Sequence, residues 1–154
     1  MDDVIRDCTM VGVAAIQPVL TARTTVKTST LDAAGDRWRR LALASAKQCG
    51  VSRLPQIREV VSFDDWLERA LAQPAFILLE PSVAAAPITV RQMASRAVPA
   101  EATLVVGPEG GWTEEERDRA IAAGCSPLSL GRMTLRADAV PLVAAAALLA
   151  IWAE

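Results

Sequence analysis

Short apolar runs separated by helical patterns make up most of the chain. Three of these runs have the length of β-strands: Ala75–Leu79, Thr103–Val106 and Pro127–Leu130. Continuous apolar strands that alternate with helices are typical of a parallel sheet covered by helices on both faces. The pattern therefore predicts the α/β class, and a length of 154 residues indicates a single domain.

Helical spacing of apolar residues accounts for much of the remaining chain. It predicts helices over Asp2–Met10, Leu31–Gln48, Phe63–Ala72, Val90–Arg96, Glu114–Ala123 and Val140–Trp152. Ser62 is the expected N-cap of the third helix. Val13–Ile16 and Pro18–Leu20 are predicted as short extended runs.

The last predicted helix is apolar almost all round. Such a helix has to be buried, and in a chain this small one of its faces is expected to lie against a second subunit. The surrounding run from Ala137 to Ala153 contains Asp138 and Pro141. It falls short of the roughly 20 strongly apolar residues that a bilayer requires, so we expect no membrane span.

The composition excludes several kinds of chemistry. The chain has no histidine, which removes Ser-His and Cys-His nucleophile pairs and the commonest metal ligand, so we expect no metal site. Cys8, Cys49 and Cys125 are far apart and are expected to be free, buried thiols of a reducing compartment. The acidic N-terminus has no apolar signal core, so the expected location is cytoplasmic.

Basic side chains are concentrated in the first part of the chain, although the net charge is −2. Residues 1–60 contain nine Lys and Arg against six Asp and Glu, whereas residues 61–154 contain seven against twelve. A polyanion is therefore expected to meet the first 60 residues. Arg37, Arg39 and Arg40 on the second helix are either a solvated face or contacts to an RNA backbone.

A glycine-rich loop directly follows the second apolar run. Gly107-Pro-Glu-Gly-Gly-Trp112 leads into a helix at which Thr113 and Glu116 have the spacing of a capping box. Loops at the carboxyl ends of parallel strands bind ligands in open α/β sheets. The loop is a plain turn, a phosphate site or a site for a ligand without phosphate. Nearby glutamates and the lack of a lysine favour the last over a phosphate site. Trp112 is expected to pack beside the helix start, with base stacking as the alternative.

A second glycine loop follows the third apolar run, from Leu130 to Arg136, and Asp138 is predicted to cap the helix after it. Two such loops at successive strand ends can enclose one small molecule. Leu130, Met133 and Leu135 are predicted to supply its apolar walls.

These segments resemble the RsmE family of the SPOUT superfamily, which uses S-adenosylmethionine to methylate N3 of a uridine in bacterial 16S rRNA. The resemblance rests on LVVGPEGGWTEEE at 104–116 and LSLGRMTLRADAV at 128–140, supported by IQPVLTART at 16–24 and RWRRLALASAKQCGVSRLPQI at 37–57. It implies a trefoil-knotted α/β fold, a cofactor site in the knot, and a homodimer that acts on 16S rRNA or the 30S subunit. It covers residues 1–154 as a methyltransferase domain, and nothing here corresponds to the family's N-terminal β-barrel RNA-binding domain.

The resemblance also implies site residues. Cofactor contacts are expected from Leu79, Glu80, Gly107, Glu109, Gly110, Gly111, Leu130, Gly131, Met133 and Leu135. Arg23 and Arg136 are candidates for stabilising the negative charge that develops on the uracil, and Arg37, Arg39, Arg40 and Arg132 for contacting RNA. Glu109 is expected to fix its own loop rather than to act as a base. Two alternatives are a dimeric cofactor-binding module without activity and an α/β protein that binds a nucleotide phosphate.

Overall fold

The computed structural model describes residues 1–25, 34–69, 73–81 and 87–152. Within these ranges the helices are α1 (Asp2–Met10), α2 (Gly35–Cys49), α3 (Phe63–Arg69), α4 (Val90–Met93), α5 (Glu114–Ala122) and α6 (Val140–Trp152). The strands are β1 (Ala15–Ile16), β2 (Val19–Leu20), β3 (Gln56–Ile57), β4 (Val61–Ser62), β5 (Ala75–Leu78), β6 (Ile88–Thr89), β7 (Thr103–Val105) and β8 (Ser126–Ser129). The predicted α/β class is confirmed.

The larger sheet is parallel and has the strand order β6-β8-β5-β7. In its centre, Phe76 of β5 is in register with Leu104 of β7 and Ser126 of β8. Two short parallel pairs, β1 with β3 and β2 with β4, lie in the N-terminal part of the chain. Because β8, β5 and β7 are neighbours and run in the same direction, the loops that follow them meet at one edge of the sheet.

Strand β5 is buried on both faces, as its continuous apolar run predicts. Ile77 belongs to a cluster with Phe63 and Trp66 of α3. Its neighbour Phe76 points to the other side and belongs to a cluster with Leu148 of α6. A third cluster joins α1, α2 and β1. The sheet is therefore sandwiched between helices, which leaves its carboxyl edge as the place for a ligand.

The predicted helix boundaries differ from the observed ones mainly at their ends. The predicted start of α2 at Leu31 and the predicted end of α3 at Ala72 lie outside the described residues. Helix α4 ends before the predicted Arg96, whose amide donates to Met93 in an i→i+3 turn. Strands β3, β4 and β6 have two residues each. An alternation of apolar and polar residues cannot be recognised over so short a segment.

Helix starts follow the expected capping chemistry. Ser62 caps α3 as predicted, because its Oγ accepts from the amide of Asp65 at 3.0 Å. A capping box of Thr89 and Gln92 begins α4 and was not predicted. No helix within the described ranges is long and apolar enough to cross a membrane.

The three cysteines are free and differ in exposure. Cys8 and Cys125 are buried as expected, but Cys49 is exposed at the end of α2, so the expectation of burial is wrong for this residue. Burial, with a smaller contribution from the charge of Asp7, raises the pKa of the Cys8 thiol to about 11. Burial also raises the pKa of Cys125.

We expect Ellman's reagent at pH 8 to modify one thiol per native chain, that of the exposed Cys49. The thiolate is the reacting species, and the raised pKa of both buried thiols keeps them protonated. The Cys49→Ser variant is the control and should react only after denaturation. Rapid modification of native Cys49→Ser would contradict the packing of Cys8 and Cys125.

Candidate functional site

A cavity of about 520 Å³ lies at the carboxyl edge of the larger sheet. Most of its lining comes from three segments: 78–81 at the end of β5, 106–112 without Gly110 after β7, and 130–137 without Arg132 after β8. Arg23, Arg117 and Val140 complete the lining. The volume falls within the roughly 300–1,000 Å³ of small-molecule sites. The two glycine loops therefore enclose one space, as their positions after neighbouring strands predict.

Most residues predicted to contact a ligand line this cavity: Leu79, Glu80, Gly107, Glu109, Gly111, Leu130, Gly131, Met133 and Leu135. Gly110 does not line it. A Cβ at Gly110 would lie 3.1 Å from the Cβ of Arg23, so this glycine leaves room for the Arg23 side chain rather than for a ligand. Met133 is 78% exposed, at the rim of the cavity.

Trp112 packs back over the loop that precedes it. Its Nε1 donates to the carbonyl of Leu78 at 3.1 Å, and its ring lies 5.6 Å from that of Phe63, centroid to centroid. A Cβ at Gly107 would lie 3.0 Å from this Nε1, so the close approach of the indole requires glycine there. Trp112 thus packs as predicted, but its aromatic partner belongs to α3 rather than to its own helix.

The predicted capping box at the start of α5 is confirmed. The Oγ1 of Thr113 accepts from the amide of Glu116 at 3.1 Å, and the carboxylate of Glu116 accepts from the amide of Thr113 at 3.0 Å. The same carboxylate also accepts from the amide of Ala22 at 2.7 Å, a contact that no local pattern predicts. Glu116 is 6% exposed, so its carboxylate is buried while these bonds are partly buried.

Arg23 reaches the glycine-rich loop from the segment after β2. Its Nη1 donates to the carbonyls of Gly110 at 2.8 Å and Trp112 at 3.3 Å. A turn closed by the amide of Thr24 on the carbonyl of Thr21 presents this side chain. Within the described residues Arg23 has no carboxylate partner, and its Nε and Nη2 make no hydrogen bond to them. Among these residues, no carboxylate therefore offsets its positive charge at the cavity.

The other two arginines at the cavity are paired with carboxylates. Arg136 is bonded to Asp138 at 2.6 Å and Arg117 to Asp118 at 2.9 Å. The prediction that Asp138 caps α6 is wrong, since its carboxylate accepts both of its bonds from Arg136. The sequence does not identify Arg117 as a residue of the cavity, because a charged residue inside a helix is normally interpreted as solvent-exposed surface.

Glu109 does not fix its loop through its carboxylate, contrary to the expectation. Across the ranges that the structure covers, this carboxylate has no hydrogen-bond partner, and Glu109 lies exposed at the cavity. The loop is instead closed by the amide of Gly111 on the carbonyl of Pro108 at 2.9 Å and held by Arg23.

The arginines predicted to contact RNA lie outside the cavity lining. Arg37 is paired with Asp2, and Arg39 with Asp36 at 2.7 Å. Arg40 and Arg132 are exposed. Among the residues with a described position, no group of three His, Cys, Asp or Glu side chains is arranged to hold a metal ion.

The lining indicates the kind of ligand that fits. Leu79, Val106 and Leu130 offer apolar surface, and Glu80 and Glu109 offer carboxylates. No lysine lines the cavity formed by the described residues, so the usual cradle for a triphosphate is missing. Glu80 and Glu109 suit a positive charge on the ligand and Arg23 a negative one, so the arrangement favours a ligand with an apolar part and charges of both signs.

Sequence comparison relates the chain to RNA methyltransferases. It is 36% identical over 145 residues to Ribosomal RNA small subunit methyltransferase E of Synechocystis sp., covering 94% of this chain and 47% of that protein. It is 29% identical to the Bacillus subtilis protein of the same name, covering 94% and 59%. The chain thus spans about half the length of the curated relatives it matches.

Structural comparison also relates the chain to methyltransferases. A Legionella pneumophila protein in complex with S-adenosylmethionine superimposes with a TM-score of 0.87 at 29% identity, over 97% of this chain and 60% of that one. Ribosomal RNA small subunit methyltransferase E from Neisseria gonorrhoeae, bound to S-adenosylmethionine, gives 0.84 at 28%, over 99% and 61%. The threading of the C-terminal segment stays a prediction. A family model described as RNA methyltransferase domain matches residues 1–149, and the chain therefore belongs to this family.

Proposed function

We propose that the chain is the methyl-transferring domain of an enzyme that uses S-adenosylmethionine to modify N3 of a uridine in bacterial 16S rRNA, in the cytoplasm. The cavity of about 520 Å³ between the two glycine loops carries this proposal. Two similar structures are bound to S-adenosylmethionine. The curated relatives are named as small-subunit rRNA methyltransferases, and the resemblance of the loop motifs supplies the uridine position.

The residues present fit this cofactor. Its adenine is suited to the apolar surface of Leu79, Val106 and Leu130, and its positive charge to the carboxylates of Glu80 and Glu109. The bound cofactor supplies a methyl group on a positively charged sulfur. Methyl transfer from such a centre is favourable, so the protein mainly has to hold donor and acceptor in line.

Uracil N3 becomes a good nucleophile only when its proton leaves, which places negative charge on N3 and on the two carbonyl oxygens beside it. A cation with free donors at the cavity stabilises this charge. Arg23 fits this role better than Arg136, because Arg136 is paired with Asp138 whereas Arg23 is bonded to neutral carbonyls. As the chain has no histidine, the proton passes to a carboxylate, a backbone carbonyl or water. Glu109 is the carboxylate we assign, since its oxygens are unbonded among the described residues.

Calorimetry with S-adenosylhomocysteine and with ATP tests the cofactor assignment. We expect S-adenosylhomocysteine to bind with a micromolar Kd and ATP to give no heat of binding, because no lysine lines the cavity that the described residues form. Binding of ATP alone would overturn the proposal. Incorporation of labelled methyl groups into unmodified 30S subunits then distinguishes an enzyme from a binding module.

The exposed face of α6 supports a homodimer as part of this proposal. Val143 is 39% exposed and Leu149 46% exposed, whereas Ala144 and Leu148 on another face of the helix are buried in the protein's own core. A helix with apolar residues on both faces needs a second covering surface. A second copy of the chain would supply it.

We expect Leu149→Glu to convert the dimer into a monomer in sedimentation velocity at micromolar concentration, because it places an unpaired charge in an apolar contact. Its circular dichroism should stay unchanged. Leu148→Glu is the matched comparison: Leu148 is 2% exposed, so this variant should unfold. A wild-type protein that sediments as a monomer would contradict the dimer.

A further inference from the structure

Two segments that lie 87 to 94 residues apart in sequence are joined beside the cavity. The amide of Ala22 donates to Oε1 of Glu116 at 2.7 Å. The next residue, Arg23, donates to the carbonyls of Gly110 and Trp112. The turn formed by residues 21–24 is therefore attached to both the glycine-rich loop and the first turn of α5.

Glu116 uses its two carboxylate oxygens for different partners. Oε2 accepts from the amide of Thr113 at 3.0 Å and from its hydroxyl at 3.1 Å, which caps α5. Oε1 accepts from Ala22. Glu116 is 6% exposed, whereas Ala22 is exposed, so loss of either bond leaves an oxygen of the buried carboxylate without its partner.

A second capping box among the described residues shows that the cap alone does not need a carboxylate. At the start of α4, Oε1 of Gln92 accepts from the amide of Thr89 at 2.8 Å, and the hydroxyl of Thr89 accepts from the amide of Gln92. A glutamine has one acceptor oxygen, and its NH₂ group cannot accept from an amide N–H. Glutamine at position 116 can therefore cap α5 or hold Ala22, but not both.

We propose that Glu116 is a positioning residue, which fixes the Arg23 turn against the glycine-rich loop and so keeps the cavity in the shape that binds its ligand. It acts through Ala22 and Arg23 and does not itself line the cavity. The inference rests on the proposed function in one respect: S-adenosylhomocysteine is the ligand used to read it.

The test compares Glu116→Gln with Thr113→Ala. Thr113→Ala removes the cap hydroxyl but leaves both carboxylate oxygens, so it lowers stability without detaching Ala22. We expect Glu116→Gln to raise the Kd for S-adenosylhomocysteine about tenfold, and to speed hydrogen exchange of the peptide covering residues 20–25. Thr113→Ala should lower Tm at least as much, with an unchanged Kd and unchanged exchange in that peptide.

A second variant removes the donor instead of the acceptor. Ala22 is the second residue of the turn closed by Thr24 on Thr21, a position that proline favours. Ala22→Pro therefore removes the N–H while it preserves the turn, and should reproduce the Kd and exchange of Glu116→Gln. If Glu116→Gln fails to fold, Ala22→Pro still tests the contact between Ala22 and Glu116. Arg23→Ala should be combined with Glu116→Gln or with Ala22→Pro. Each double variant should raise Kd by less than the product of the two single effects, because both substitutions detach the same turn.

Two results would overturn the inference. One is exchange over residues 20–25 that stays at the wild-type rate in Glu116→Gln and Ala22→Pro. The other is a Kd that follows Tm alone across these variants and Thr113→Ala, which is the behaviour of a residue that merely stabilises the fold. If the wild-type chain does not bind S-adenosylhomocysteine, the proposed function fails, and the exchange comparison still decides whether Glu116 holds the turn.

Discussion

Replacing Gly107 by valine is expected to weaken binding of S-adenosylhomocysteine by at least about a hundredfold, which corresponds to ~2.7 kcal/mol. A Cβ at this position would lie 3.0 Å from Nε1 of Trp112 and 3.1 Å from Cε2. The indole cannot easily retreat, because it packs on Phe63 and donates to the carbonyl of Leu78. Either the loop or the indole must move, and both line the cavity.

Calorimetry on Gly107→Val and two companion variants checks this expectation. Gly35→Ala is the matched control, since its Cβ would meet only the Arg39 guanidinium at 3.8 Å and lies away from the cavity. It should keep Kd, and its Tm should stay the same or rise slightly, because alanine favours a helix more than glycine does. Leu135→Asp places an unpaired charge in the cavity wall and should lose affinity with an unchanged Tm. Wild-type affinity in Gly107→Val and Leu135→Asp would show that the loops form turns and no binding site.

The parts of the fold that the sequence predicts are those with a local physical cause. Strand β5 is recognisable because both of its faces are buried and every residue is apolar. The start of α5 is recognisable because Thr113 and Glu116 satisfy amides only three residues apart. The cavity follows from the same reasoning, since loops after neighbouring parallel strands have to meet.

The parts that sequence reasoning missed depend on contacts between distant segments. Gly110 reads as a site for a ligand, and only the structure shows that the Arg23 side chain occupies the space beside it. The bond from Ala22 to Glu116 cannot be predicted from either sequence segment, because the role of Glu116 as a cap already explains a glutamate at this position. Periodicity carries no information about such pairs, and neither does the spacing of glycines.

The charges at the cavity also depend on contacts that the sequence does not reveal. The sequence identifies Arg23 and Arg136 as equivalent candidates, since each lies in a motif segment. In the structure Asp138 neutralises Arg136, whereas Arg23 is bonded to neutral carbonyls. Which of two arginines keeps an effective positive charge depends on its partners, and so it requires coordinates.

The chain of 154 residues is expected to bind the cofactor but to methylate 30S subunits slowly. Affinity for nucleic acid comes mainly from neutralised phosphates, and this chain has a net charge of −2. Among its basic side chains, Arg37 and Arg39 are already paired with Asp2 and Asp36. These two pairs lower the positive charge that the basic first 60 residues offer to a large RNA.

A fusion experiment measures how much weak RNA docking slows methylation. The chain covers 59% of the Bacillus subtilis relative, so the part of that protein which it does not match can be joined to its N-terminus. If docking contributes ~3 kcal/mol, the fusion should raise kcat/KM on unmodified 30S subunits roughly a hundredfold. The Kd for S-adenosylhomocysteine should stay the same, because the cavity uses only residues of this chain. The advantage of the fusion should also shrink as salt is raised, since phosphate contacts are screened. Equal rates for the chain and the fusion would show that the domain docks RNA by itself and that its negative net charge is no obstacle.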